Sequence, residues 1–338
     1  MALQKQPDRR IGITTTVPSE VIFAAGLVPV DLNNLFITAD RPAELVEEAE
    51  RAGFPRNCCA WIKGIYAACR RSGLRRLVGV ARGDCSNTLA LMEILRSEGV
   101  ETVEFAYPLE RRPERVAEAI AGFADRLGTT TAAAEDWRRR LEPVRGLLAD
   151  LDRLVRETGQ ATPAEAHAWM VSASDFRGDP KRFHSDLESF LHDCRERPTP
   201  SPALPVVLAG VPPIKTDIFD RLAGLGARVV HDEMAFEFTM ARSRLRGLEY
   251  IYCNYSYPYD VVYRTDLLGA EAAGRSARGI IHYVQSFCYR QIQDRLLRER
   301  IPLPVLTLEC DRPGPLDAGA LTRLEAFVES LRAAEGLR

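Results

Sequence analysis

The sequence predicts an α/β fold in which two doubly wound lobes are separated by a helical insertion. Short apolar runs alternate with helical patterns in the first and last parts of the chain, as in repeated βαβ units. Between roughly residues 110 and 197 no strand pattern is found, and helical periodicity dominates. We therefore expect an N-terminal α/β lobe over 1–110, a helical segment and linker over 111–200, and a C-terminal α/β lobe over 201–338.

Seven apolar runs have the length and composition of parallel strands that are buried on both faces. They are VPVDL at 28–32, LVGVA at 77–81, TVEFA at 102–106, PVVLAG at 205–210, ARVV at 227–230, GIIHYV at 279–284 and PVLTLE at 304–309. Because such runs occur on both sides of the insertion, each lobe is expected to have its own sheet.

Helical patterns follow two of these runs directly. After LVGVA, the segment SNTLALMEILRSEG has Asp84 or Ser86 as its predicted N-cap and Gly99 just beyond its end. After GIIHYV, a helix is predicted from about residue 288 to Arg300, because Pro302 stops it. The insertion contains EDWRRRLEPVRGLLADLDRLVRETG and closes with RERPTPSPALP, which indicates a linker.

Composition narrows the classes of function. The chain has 338 residues and a formal net charge of −2, with both signs interspersed, so neither nucleic acid nor an anionic membrane is indicated as a partner. Neither a signal-peptide pattern nor an apolar run of membrane-spanning length is found, and a cytoplasmic location is expected. The glycine spacings of dinucleotide and P-loop sites are absent, so a small molecule of another kind or a protein partner is favoured.

Cysteine is a more promising metal ligand than histidine in this sequence. Five histidines form no ligand-spaced pair, and the eight cysteines include no paired CxxC motif that would indicate zinc. A disulfide framework is not expected in a reducing compartment. Six thiols stand at the ends of predicted elements, where doubly wound proteins build their sites. These are Cys58 and Cys59 at the start of AWIKGIYAACRRSG, Cys85 and Cys288 four residues after strands, Cys253 after LEYIY, and Cys310 after PVLTLE.

Thiolates at helix N-termini are favoured by backbone N–H groups and select iron–sulfur clusters or zinc. With few imidazoles available, a cluster is the better hypothesis. A single cysteine is nevertheless more often a small buried hydrophobe than a ligand. We expect that role for Cys69, on the inner face of its helix, and an incidental one for Cys194 at a helix end.

The remaining thiols are weighed by position. A ligand role is favoured for Cys85 and Cys288, which occupy equivalent places in the two lobes, and for one member of the Cys58–Cys59 pair. For Cys253 and Cys310 the ligand and structural interpretations are evenly balanced.

Several polar and aromatic groups near strand ends are weaker candidates. His231, Asp232 and Glu233 follow a strand, and the tyrosines between 250 and 259 are candidates for the wall of a dry pocket. No residue identifies itself as a general base, and the catalytic residues are unknown from sequence.

The stretches that carry these cysteines resemble the 2-hydroxyacyl-CoA dehydratase and benzoyl-CoA reductase family. GITTTVPSEVIFAAGLVPVDL resembles its N-terminal region, GDCSNTLALMEIL a cluster-ligand region, and GVPPIKTDIFDRLAGLGARVVHDE the start of its second lobe. IIHYVQSFCYRQIQDRLLRERIPLPVLTLECDRPGPLDAGALTRLEAFVESL is similar to its C-terminal signature. The resemblance covers both lobes.

The resemblance implies two flavodoxin- or Rossmann-like lobes with a 4Fe-4S cluster at their interface, held by three cysteines. Carried over by position, the ligands are Cys58 or Cys59, with Cys59 preferred, then Cys85 and Cys288. It further implies an ATP-dependent iron–sulfur activator that delivers a low-potential electron, a homologous second subunit or a second copy of the chain, and an acyl-CoA substrate. The expected activity is that of a dehydratase-type lyase or low-potential reductase acting through a radical.

Two alternatives remain open at this stage. Counting Cys253 and Cys310 with the four other end-of-element cysteines gives the six that are expected, by analogy, for a double-cubane 8Fe-9S cluster in a homodimer that reduces small molecules. The second alternative is a non-catalytic partner protein with the same fold and no cluster.

Overall fold

The computed structural model describes residues 8–336 and has two four-stranded sheets in which every strand pair is parallel. The N-terminal sheet contains β1 Arg10–Ile13, β2 Val28–Asp31, β3 Arg76–Arg82 and β4 Glu101–Ala106, and the C-terminal sheet contains β5 Leu204–Gly210, β6 Ala227–Asp232, β7 Gly279–Val284 and β8 Val305–Glu309. All seven predicted strands are present. The eighth, β1, was missed because only four residues separate the charged N-terminal region from a run of threonines.

Helices connect the strands and fill the insertion. In the N-terminal lobe they are α1 Ser19–Ala24, α2 Leu32–Ile37, α3 Pro42–Arg51, α4 Ala60–Ser72 and α5 Ser86–Ser97; the insertion has α6 Pro113–Arg126, α7 Thr131–Arg153, α8 Pro163–Val171 and α9 Pro180–Arg195. The C-terminal lobe has α10 Ile218–Gly224, α11 Glu233–Phe238, α12 Leu248–Cys253, α13 Val261–Gly274, α14 Asp294–Arg300 and α15 Ala318–Gly336. Among the described residues, no helix combines the length and apolar character needed to cross a bilayer.

The two sheets have the same topology. Their strand orders are β2-β1-β3-β4 and β6-β5-β7-β8, so each chain path reverses between its first and third strands. Continuous apolar runs explain the central strands: β7 is buried along its whole length, as expected for a parallel strand covered on both faces. In such sheets the crevice outside the carboxyl ends of these strands is where ligands bind. The two-lobe α/β part of the predicted fold class is confirmed.

One glycine is required at the reversal point of the C-terminal sheet. Gly210 ends β5 with φ +102, and a Cβ placed there would lie 2.1 Å from the carbonyl oxygen of Tyr283. Only glycine fits both the backbone conformation and this close approach.

The lobes share a buried core. One apolar cluster extends from α4 and α5 of the N-terminal lobe to the C-terminal sheet and α15. The helical segment packs its own cluster against α1 and α11, and a buried ion pair between Arg145 and Glu20, 2.6 Å apart, joins α7 to α1. The insertion therefore braces both lobes, although its sequence boundaries at 110 and 200 stay an interpretation.

Candidate functional site

The loops after the central strands of both sheets meet at one cavity. Residues 14–16 follow β1, residues 84–85 follow β3, residues 211–213 follow β5 and residues 288–290 follow β7, and all of them line this space. The cavity contains about 900 Å³ free of protein atoms, including the part open to solvent. The reversal points of the two sheets therefore border the same cavity.

Three thiols line this cavity, and they come from both lobes. Cys59, Cys85 and Cys288 are each half-buried, and each is the N-cap residue of the helical segment that follows it. An N-cap side chain stands beside the first free N–H groups of its helix. The Cys59 side chain makes no capping hydrogen bond, although the backbone N–H groups of Ile62 and Trp61 act to lower the pKa of its thiol.

Burial and proximity both act on these thiols. Burial raises the pKa of the Cys59 thiol to about 12, the Ile62 N–H opposes that rise, and the neighbouring sulfurs of Cys288 and Cys85 add to it. Burial and the adjacent Asp84 raise the pKa of Cys85 to about 11, although the N–H of Thr88 opposes the change. Without a bound cation, Cys59 and Cys85 are therefore neutral thiols at pH 7.

Buried nitrogen donors without an acceptor surround the thiols. Among the described residues, Trp61 Nε1, Gln285 Nε2 and Arg290 Nε have no hydrogen-bond partner. Trp61 and Arg290 line the cavity, while the Gln285 side chain accepts a 2.8 Å bond from the N–H of Ala60, next to Cys59. Because unpaired buried donors are costly, their grouping here fits an electron-rich ligand in the cavity.

Arg290 places a permanent charge in the cavity wall. Its side chain is 1% exposed, makes no ion pair within residues 8–336, and lies with its guanidinium carbon 4.0 Å from the ring centroid of Tyr257. Burial opposes the charge, but the phenols of Tyr289 and Tyr257 raise the pKa of Arg290 above its usual value. A positive charge held this way favours anionic ligands nearby.

The tyrosine-rich stretch forms part of the wall. The Tyr257 hydroxyl donates to Asp84 over 2.9 Å, and Asp84 also accepts from Thr88 and the N–H of Cys85. Gly83, at φ +98, is needed here because a Cβ would lie 2.7 Å from Pro258. The C-terminal lobe therefore lies directly against the Cys85 loop.

The other candidate thiols lie away from the cavity. LEYIY forms helix α12 and not the end of a strand, and its last residue, Cys253, packs in an apolar cluster with α6 and β4. Cys310 is 2% exposed in the core shared by the lobes, beside the Tyr283 hydroxyl. Cys58 is half-buried but does not line the cavity.

Cys69 and Cys194, for which no ligand role was expected, are buried thiols. Cys69 is 1% exposed on the inner face of α4, and Cys194 is fully buried at the end of α9. Within residues 8–336, no three His, Cys, Asp or Glu side chains are close enough to hold a single metal ion. The three cavity thiols instead lie around the wall of a larger space.

Sequence reasoning missed three groups that line the cavity, Trp61, His167 and Arg290, and the side chain of Gln285 beside it. Trp61, Gln285 and Arg290 each lie within three residues of a predicted ligand, and that proximity was the available signal. His167, on α8, also lines the cavity. No signal in the sequence places it there, because the helical segment brings it in from outside both lobes.

The comparison with protein families finds a match over almost the whole chain. The family model for the D-component of 2-hydroxyglutaryl-CoA dehydratase matches residues 14–331, which include both sheets, the insertion and all three cavity thiols. No curated protein matches the chain. This family implies a dehydratase-type enzyme component. Because the match spans nearly the whole sequence, the chain belongs to the 2-hydroxyglutaryl-CoA dehydratase D-component family.

Proposed function

We propose that the chain is the iron–sulfur component of an activator-dependent 2-hydroxyacyl-CoA dehydratase, with Cys59, Cys85 and Cys288 as the ligands of one 4Fe-4S cluster. The observation that carries the proposal is the meeting of three N-cap thiols from two lobes in one cavity. Thiolates are the usual ligands of such clusters. Family membership supports the reaction class.

The side chains and N–H groups at the cavity are suited to hold a 4Fe-4S cluster. A cluster with bound thiolates is anionic, and the cavity offers N–H donors that lack acceptors together with the charge of Arg290. Cysteine must be deprotonated to bind metal, so the raised pKa values of Cys59 and Cys85 mean that loading releases protons and is favoured by higher pH. When bound, the cluster would supply one-electron reduction and, at an iron with only three protein thiolates among four, Lewis acidity.

The protein's own groups have separable tasks in this proposal. Arg290 and the N-cap N–H groups stabilise negative charge, while the Tyr257–Asp84 hydrogen bond closes the cavity on the side of the C-terminal lobe. Apolar side chains of Ile62 and Ile65 line the remaining wall and exclude water. The electron that starts each turnover is recycled, so dehydration is redox-neutral overall.

The partners follow from the component's family. A D-component implies a second component, and the low-potential electron requires a separate ATP-dependent iron–sulfur activator. The substrate class is a 2-hydroxyacyl thioester of coenzyme A, of which 2-hydroxyglutaryl-CoA is the form in the family's name. We place the protein in the cytoplasm, as the reducing chemistry requires.

One cluster is favoured over two. A double-cubane reductase needs further ligands, and the two thiols proposed for that role, Cys253 and Cys310, pack inside apolar clusters away from the cavity. A cluster-free partner protein would leave three buried donors and three facing thiols without a ligand.

The test is turnover by the assembled system. Chain purified without oxygen, mixed with its second component, an activator, ATP and 2-hydroxyglutaryl-CoA, should form the unsaturated thioester only when the activator and ATP are both present. The chain alone should contain about four irons and as many acid-labile sulfides. About eight irons would support the double-cubane alternative, and an iron-free chain would overturn the proposal.

A further inference from the structure

His167 lies where the thiol cavity meets an open groove. It belongs to α8, whose start is fixed by a capping box between Thr162 and Glu165. Its side chain is 16% exposed and lines both the cavity and the groove beside β2 and α10. The two spaces also share Asp31, Asn34, Ile37, Val171 and Pro213. A molecule that reached the thiols through the groove would pass this imidazole.

A carboxylate from the C-terminal sheet holds the His167 ring. Nδ1 of His167 is 2.6 Å from Oδ2 of Asp232, the last residue of β6. The other oxygen of Asp232 accepts a 3.4 Å bond from the N–H of Ala235 at the start of α11. The ring also packs against Phe219, with centroids 5.2 Å apart. Because a carboxylate accepts the Nδ1 proton, the neutral ring has a free lone pair on Nε2.

The remaining histidines do not have this arrangement. His231 and His282 are 3% and 0% exposed, and neither lines the cavity. His184 and His192 lie on α9, away from the cavity lining. Among the described residues, His167 is thus the one imidazole at the cavity. An imidazole oriented by a carboxylate and open at Nε2 is the arrangement of a general acid–base pair.

We propose that His167 is the proton-transfer residue of the dehydration and that Asp232 is its positioning residue. The inference rests on the proposed function. The electron delivered by the activator reduces the thioester carbonyl, and the C2–O bond then breaks with its electron pair, so that hydroxide leaves. Nε2 of His167 takes the proton from C3, and the C3–H electron pair becomes part of the second bond between C2 and C3. The same proton passes from His167 to the hydroxide, which becomes water. The electron leaves the unsaturated thioester and is recycled, so no oxidant or reductant is consumed overall.

The test uses the assembled, iron-loaded system with 2-hydroxyglutaryl-CoA. We expect His167→Gln to lower kcat by roughly 10²–10⁴-fold with little change in KM, because general acid–base catalysis contributes that much. Asp232→Asn should cost less, about 10–100-fold, as loss of an orienting partner does. His184→Gln, on the partly exposed face of α9, is the matched control and should match wild type.

Two further readouts separate proton transfer from a structural role. The iron content of His167→Gln should equal that of wild type, and added imidazole should restore part of the activity of His167→Ala. In deuterium oxide, wild type should exchange the C3 hydrogen of recovered substrate or product, and His167→Gln should not.

The outcomes distinguish this inference from the proposed function. Active wild type with His167→Gln within threefold of it, or undiminished C3 exchange in that variant, would overturn the role of His167 alone. Wild-type protein that contains iron yet does not dehydrate the thioester would overturn the proposed function and, with it, this role.

Discussion

The two lobes have the same strand order, yet they supply different chemistry to the cavity. The N-terminal lobe contributes two of the three thiols, Cys59 and Cys85, each followed by a full helix of twelve or thirteen residues. The C-terminal lobe contributes Cys288, followed by only a 3₁₀ turn, and the buried charge of Arg290. A repeated fold therefore provides a common edge, while the side chains after each strand decide what that edge can bind.

A buried ion pair within the C-terminal lobe differs from the one that joins the insertion to the N-terminal lobe. In the C-terminal lobe, Arg264 makes two bonds of 2.6 and 2.7 Å to Glu233, which also accepts from the N–H of Gly210. Where the insertion meets the N-terminal lobe, Arg145 of α7 pairs with Glu20 of α1, but the Nε and Nη1 of Arg145 have no partner among the described residues. The first pair is fully satisfied and the second is not, so the cost of removing each pair should differ.

The largest expected effects are on stability. Arg264→Met and Arg145→Met should each lower the free energy of unfolding in urea by about 3–5 kcal/mol, because each leaves a buried carboxylate without its cation. The double variants distinguish the two ion pairs. Glu20→Gln with Arg145→Met should return close to wild type or above it, whereas Glu233→Gln with Arg264→Met should stay about 1–3 kcal/mol below. If both double variants regained the same unfolding free energy, the predicted difference between the two ion pairs would be contradicted.

Acid should weaken the C-terminal lobe through His231. Burial lowers the pKa of His231 from 6.5 to about 3, and Arg275 and Arg242 assist while Glu271 and Glu233 oppose. Below pH 6.5 the unfolded chain binds a proton that the folded chain does not, so stability falls as the pH falls. Between pH 7.5 and 5.5 the loss should be about 1.4 kcal/mol. In urea unfolding at pH 7.5 and 5.5, the His231→Gln variant should not show this loss of unfolding free energy. The same loss in that variant would contradict the role of His231.

Asp31 and Asp175 form a carboxyl pair where the N-terminal lobe meets the insertion. This pair should make the folded chain more stable, not less, as the pH falls. Burial and the neighbouring Asp31 raise the pKa of Asp175 from 3.8 to about 7, and Asp175 accepts a 2.8 Å bond from the N–H of Asp31. Here the folded chain binds the extra proton, so stability present at low pH is lost as the pH rises through 7.

The corresponding variant is Asp175→Asn. Wild type should gain about 1 kcal/mol of unfolding free energy from this site between pH 8 and 6. The variant should lack that gain, and His231→Gln should retain it. A gain of the same size in Asp175→Asn would show that the carboxyl pair does not titrate in this range.

The smallest effect is expected at Phe287, beside Cys288. Phe287 is 68% exposed and has φ +62, a backbone conformation that is unfavourable for a bulky residue. Phe287→Gly should change the free energy of unfolding by less than about 1 kcal/mol, since the strain relieved offsets the lost chain rigidity. Phe105→Ala, a buried control on β4, should cost about 3–5 kcal/mol. A loss of that size at Phe287 would mean that its ring packs on the protein.

Strand positions were predictable because unbroken Val, Ile and Leu runs have few alternatives in a two-lobe chain. The spacing of four residues from strand to Cys85 and Cys288 followed from the same reasoning, and both thiols line the cavity. LEYIY was ambiguous, since a five-residue run with four apolar or aromatic residues suits a strand or a helix, and as α12 it places Cys253 in a core.

The choice between Cys58 and Cys59 depends on orientation. Both residues precede helix α4, and Cys59 is its N-cap with a non-helical backbone, so the path of the loop decides which sulfur lines the cavity, and the sequence alone does not fix that path. His167 and Asp232 are 65 residues apart and meet only because the insertion packs on the C-terminal lobe. Contacts of this kind depend on tertiary packing, which no local pattern reports.

The most direct test of the central claim is the iron and acid-labile sulfide content of single Cys→Ala variants purified without oxygen. The account predicts that Cys59→Ala, Cys85→Ala and Cys288→Ala lose most of the about four irons per chain. Cys253→Ala and Cys310→Ala, which remove thiols from apolar clusters, should keep them. Full iron content in the three cavity variants, or equal loss in the two controls, would contradict it.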